Sequence, residues 1–83
     1  MESLPLRIAL GHTIRELRSA AGFSQEKFAV AAGVHRTFMG NLERGDANPS
    51  LETLEGIARG LGIKVWELME RAERRQGEPR PAA

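Results

Sequence analysis

The chain has 83 residues, with 12 Lys and Arg against 11 Asp and Glu, two histidines and no cysteine. Domains usually run to about 100 to 200 residues, so this length holds one compact unit. Without cysteine, disulfide frameworks, zinc ribbons and thiol redox chemistry are excluded. A net charge of +1 is weak for a nucleic-acid binder on charge alone, yet ten of the twelve cations are arginine, which makes forked contacts to phosphate and guanine.

His12 and His35 lie too far apart for a local metal motif, so no metal and no cofactor are expected. No stretch approaches the roughly 18 apolar residues of a membrane span, and the expectation is a soluble, cytoplasmic protein with no membrane partner. So small a domain buries only about 60% of its unfolded surface, which favours association with a partner.

In chain order, the first segment, about 6–21, carries Leu6, Leu10, Ile14, Leu17 and Ala21 at steps of three and four, one apolar stripe along a helix, with Pro5 in its first turn. The second, 24–32, has Ser24 as N-cap, Glu26 in the first turn, and Phe28, Ala29 and Ala32 facing inward. The third runs from about Arg36 to Arg44. The fourth opens at Asn48-Pro49-Ser50 with Ser50 as N-cap and continues through Leu51, Leu54, Ile57, Ala58 and Leu61. The fifth, about 65–75, carries Val65, Leu68, Met69 and Ala72.

Gly22-Phe23, Gly33-Val34 and Gly62-Ile63 follow three of these segments, and Gly45 follows Arg44. Each pair reads as a helix stop, the glycine turning left-handed while the apolar residue folds back. No segment alternates as a half-buried strand does. The expected fold is therefore all-α, a compact five-helix bundle over 1–75, with 76–83 as a flexible tail.

Helices two and three, about 24–44, are joined by a short glycine-containing turn, the geometry of a helix-turn-helix unit. At 100° per residue, Arg36, Thr37, Gly40, Asn41 and Arg44 fall on one face of helix three, Met39 and Leu42 on the other, and Phe38 at the border. Arg, Asn and Thr can read base edges in the major groove. An ordinary solvated face would look the same on the wheel. Gly40, costly inside a helix, hints at close approach by another backbone.

The run SQEKFAVAAGVHRTFMGNLERGDANPSLETL resembles the helix-turn-helix core of the phage repressor and Cro family, in which the same order of Ser/Thr-Gln, Gly-Val, Glu-Arg-Gly and Pro-Ser/Thr-Leu motifs recurs. RTFMGNLERG is similar to the recognition helix of controller proteins from restriction-modification systems. The resemblance covers about 10–69 and implies a lambda-repressor-like fold and a homodimer on nearly palindromic double-stranded DNA.

It further implies that Arg36, Thr37 and Asn41 contact bases. Ser24, Gln25, His35, Arg44 and Asn48 would contact the DNA backbone, and Arg18 would pair with Glu43 between helices one and three. Dimerisation through the C-terminal helices makes Trp66, with Ile63, Val65 and Met69, the candidate interface. The alternative for Trp66 is to fold over its own core.

Three residues depart from the family pattern. His35 and Lys64 stand where Ser or Thr would cap, predicting weaker helix starts, with fraying at Lys64. His35 is either a passive cap or a phosphate contact. Phe38 offers either a thymine contact or partial core packing. No catalytic motif is present and no enzyme is expected. The competing reading is a protein-interaction module, such as an antitoxin that binds a toxin.

Overall fold

The computed structural model describes residues 4–77, and those residues form five α-helices. They are α1 (Leu6–Ala20), α2 (Gln25–Ala32), α3 (Arg36–Glu43), α4 (Leu51–Leu61) and α5 (Val65–Arg75). Among the described residues there is no strand. The expected tail over 76–83 falls mostly outside them. Gln76 itself caps α5, and its side-chain Nε2 donates to the Leu4 carbonyl at 3.0 Å.

The glycine-hydrophobic pairs end α1, α2 and α4 as the sequence predicts. In each, the apolar residue donates its N–H to the carbonyl five residues back, Phe23 to Arg18, Val34 to Ala29 and Ile63 to Ala58, at 2.9 to 3.1 Å. Pro5 stands one position before α1 rather than inside it, and its carbonyl accepts from Ile8 and Ala9 at 3.0 Å.

One core joins all five helices: Leu10 and Ile14 of α1, Phe28, Ala29 and Ala32 of α2, Met39 and Leu42 of α3, Ile57 of α4, and Leu68 and Ala72 of α5. Phe23 packs edge-to-face on Phe28 with centroids 5.4 Å apart. The ends of the predicted stripes miss this core. Leu6 is 37% exposed, Ala21 lies beyond α1, and Leu51 is 70% exposed at the first turn of α4. Helix ends project past the neighbours that cover their middles, which a periodic pattern does not register.

α1 packs chiefly on α5 and α3, and α2 on α4 and α3. Gly11 and Gly56 make two of these approaches close. A Cβ at Gly11 would meet the carbonyl oxygens of Leu42 and Glu43, and one at Gly56 the carbonyl of Ala32. At the far end of the bundle Arg75 donates from Nε to Thr13 Oγ1 at 3.2 Å and pairs with Glu16 at 2.7 Å, fastening α5 to α1.

Candidate nucleic-acid interface

The turn between α2 and α3 is short because Gly33 takes φ 74° and ψ 30°, a left-handed geometry that a side chain would strain. Ser24 caps α2, accepting from the Lys27 N–H at 3.1 Å. His35 caps α3, since its Nδ1 accepts from the Thr37 N–H at 3.1 Å. The expectation of a weaker start at α3 is therefore corrected: an imidazole nitrogen supplies the acceptor that a hydroxyl would. At α5, Lys64 has no side-chain acceptor, but its N–H donates to the Glu67 carboxylate at 2.9 Å, so this start is held from the other side.

α3 is fixed from beneath by an ion pair. Arg18 of α1 donates from Nε to Glu43 Oε2 at 2.7 Å and from Nη2 to Glu43 Oε1 at 3.0 Å, while its Nη1 donates to the Phe23 carbonyl at 2.8 Å. The two side chains are 11% and 4% exposed. Hydrogen bonding to Glu43 raises the Arg18 pKa above its ordinary value against the opposing effect of burial. Gln25 of α2 adds a third donor, Nε2 to Glu43 Oε1 at 3.1 Å. Three helices thus meet on one carboxylate, which sets the angle of α3 against α1 and α2.

Arg36 and Thr37 are exposed in the first turn of α3, Asn41 is half-buried in the second, and Arg44 is exposed at its end. Met39 and Leu42 are fully buried behind them. Phe38 is half-buried and packs against the core, as the second of its two readings expects. Gly40 is buried, but the backbone approach expected of it is absent. A Cβ there would meet only the ends of the Arg44 and Gln25 side chains, at 3.4 and 3.6 Å. The close approaches lie at Gly11 and Gly56, two helical glycines whose cost was itself the available signal.

Gln25, Gly40 and Arg44 line one surface hollow of about 340 Å³ with Arg15, Arg18 and Glu43. Arg15 and Asp46 were missed by sequence reasoning. Arg15 lies on α1, outside the helix-turn-helix run, and Asp46 receives a hydrogen bond from Arg44 Nε at 3.3 Å. Arg36 lies 4.0 Å from Glu26, so both arginines of this face stand beside an acid. Asn48 is exposed in the loop before α4.

On α5, Trp66 is 65% exposed and does not fold over its own core. Ile63 and Met69 pack against that core, and Val65 is half-buried. Ile63 and Val65 border a second hollow of about 470 Å³ with Ala58, Arg59 and Gly62 at the α4–α5 junction. Among the described residues no group of His, Asp or Glu could hold a metal ion, and no helix is long and apolar enough to cross a membrane.

Residues 9–72 match a helix-turn-helix domain model. Over 66 residues the chain is 36% identical to the control protein C.BamHI of Bacillus amyloliquefaciens, spanning 78% of this chain and 82% of that one. Its fold is similar to the restriction-modification controller protein C.AhdI of Aeromonas hydrophila, with a TM-score of 0.71 and 41% identity over 74% of this chain and 92% of that one. It is also similar to the controller protein C.Esp1396I, solved as a tetramer in complex with its natural 35 base-pair operator, with a TM-score of 0.78 and 25% identity over 88% and 96% of the two chains. The chain therefore belongs to the helix-turn-helix domain family, among relatives that include the control proteins of restriction-modification systems.

Proposed function

We propose that this protein is a sequence-specific transcriptional regulator that binds a nearly palindromic DNA operator as a homodimer, with α3 of each copy in the major groove. The observation that carries this reading is the two-sidedness of α3. Its inner face is locked by Met39, Leu42 and the Arg18–Glu43–Gln25 network, while Arg36 and Thr37 are exposed to solvent with Asn41 and Arg44 beside them. Arg36, Thr37 and Asn41 are the base readers in this account. Ser24, Gln25, His35, Arg44 and Asn48 hold the sugar-phosphate backbone and carry no sequence information of their own.

A single helix of this length reads only a few base pairs, so specificity requires two copies about one helical turn apart, roughly 34 Å. The dimer face in this reading is the α4–α5 junction with Trp66 at its centre, since an exposed Trp is costly without a partner. Regulation, not catalysis, is the activity, and it is exerted on the genome in the cytoplasm.

The test is selection of bound duplexes from a randomised pool, with the affinity of the winners followed across salt. Enrichment of a palindrome whose affinity falls steeply with salt is expected. Absence of binding even at low salt would overturn the reading in favour of a protein partner.

A further inference from the structure

Arg44 donates from Nη2 to Asn41 Oδ1 and from Nε to Asp46 Oδ2, so one guanidinium joins a groove-facing amide to an acid at the end of the same helix. The acid is held in place by backbone. Asp46 donates its N–H to the Asn41 carbonyl at 2.8 Å, and the preceding Gly45 carbonyl accepts from Arg7 Nε of α1 at 2.9 Å. Gly45 is left-handed, at φ 81°, and packed on Ile8, which fixes where the turn can go.

An Asn side chain carries an acceptor on one side and two donors on the other, and left alone it can turn over to offer either to a base. A guanidinium has donors only. Its bond to Oδ1 therefore requires the oxygen toward Arg44 and turns the NH2 away from it. We propose that Arg44 and Asp46 are positioning residues that set the base preference of Asn41, holding its amide so that the groove meets a donor. The inference rests on the major-groove reading above. The base edges favoured at the Asn41 position are those with an acceptor, purine N7, guanine O6 or thymine O4, over the N4 donor of cytosine.

Asp46 gives the sharper test, because an acid beside the DNA repels phosphate, and its removal as a mere charge would tighten binding to every sequence alike. The experiment is the randomised-duplex selection carried out with the wild type, Asn41→Ala, Asp46→Ala and Asp46→Glu. Asn41→Ala identifies the base pair that Asn41 reads by abolishing preference there. Asp46→Ala is expected to raise affinity on all DNA while lowering discrimination at that same base pair by about two- to tenfold, the worth of one hydrogen bond. Preference elsewhere in the half-site is unchanged, and Asp46→Glu restores the lost discrimination. An Asp46→Ala protein that binds more tightly with unchanged preference at the Asn41 position overturns the proposal and leaves the DNA reading standing. A wild type that selects no sequence overturns both.

Discussion

Gly11 lies so close to Glu43 that a Cβ on the glycine would come within 2.7 Å of the Glu43 carbonyl oxygen. This contact brings the middle of α1 against the last turn of α3, next to the Arg18–Glu43 pair. Gly11→Ala is expected to destabilise the protein by about 1 to 3 kcal/mol, because the obstruction is backbone and cannot swing aside. Gly40→Ala should do the opposite and stabilise by roughly 0.5 to 1 kcal/mol, since a methyl there has room and helix propensity improves. Urea denaturation of the two variants, one on each side of the wild type, checks the assignment of which glycine marks a close approach.

Removing the Glu43 carboxylate would strip three N–H donors of their acceptor and leave Arg18 as an uncompensated, nearly buried cation. Glu43→Ala should therefore cost about 3 to 5 kcal/mol. Replacing both partners with apolar side chains, Arg18→Met together with Glu43→Leu, should recover most of that loss, because the penalty belongs to the stranded charge more than to the missing pair. Equal destabilisation of the single and double variants in thermal melts would mean that the network itself supplies the stability.

Arg36 and Gln25 should separate base reading from backbone holding. Arg36→Ala is expected to cost about 1 to 3 kcal/mol on the selected operator and much less on unrelated DNA, relaxing preference at one position. Gln25→Ala should weaken binding to both by similar factors. It should also lower stability by about 1 kcal/mol, through the hydrogen bond it gives to Glu43. Competition binding on operator and scrambled duplexes distinguishes the two. Equal losses on both duplexes for Arg36→Ala would count against Arg36 as a base reader.

Trp66 is the single tryptophan of the chain, and its exposure makes it a reporter of association. Its fluorescence should shift to the blue as protein concentration rises through the dimerisation range. Trp66→Glu should hold the protein monomeric in sedimentation equilibrium while leaving the monomer's cooperative unfolding in place, because the side chain contributes little to its own core. A monomer that shows the same emission at all concentrations would exclude α5 as the dimer face.

Much of the fold is legible in the chain because its signals are local. The 3.6-residue spacing of Leu10 and Ile14, the caps at Ser24 and Ser50, and the turns at Gly33-Val34 and Gly62-Ile63 each act within one or two turns of backbone. Such interactions are written into adjacent residues, so five helices in the right places follow from them. The outward set of Arg36, Thr37 and Asn41 is legible for the same reason, as a property of one helix wheel.

The sequence by itself thus determined the five helices, the helix-turn-helix and the polar face of α3. Only the tertiary structure decided that Gly11 and Gly56, and not Gly40, are the close approaches, and that Gln25 spends a donor on Glu43. It likewise decided that Leu51 misses the core, that Phe38 joins it and that Trp66 stays out. Each of those outcomes depends on which atoms of another helix stand opposite a side chain, and periodicity within one helix carries no information about that. Asp46 beside Arg44 is a nearer case: two residues apart in sequence, they meet because the left-handed turn at Gly45, packed on Ile8, brings the acid back beneath the guanidinium.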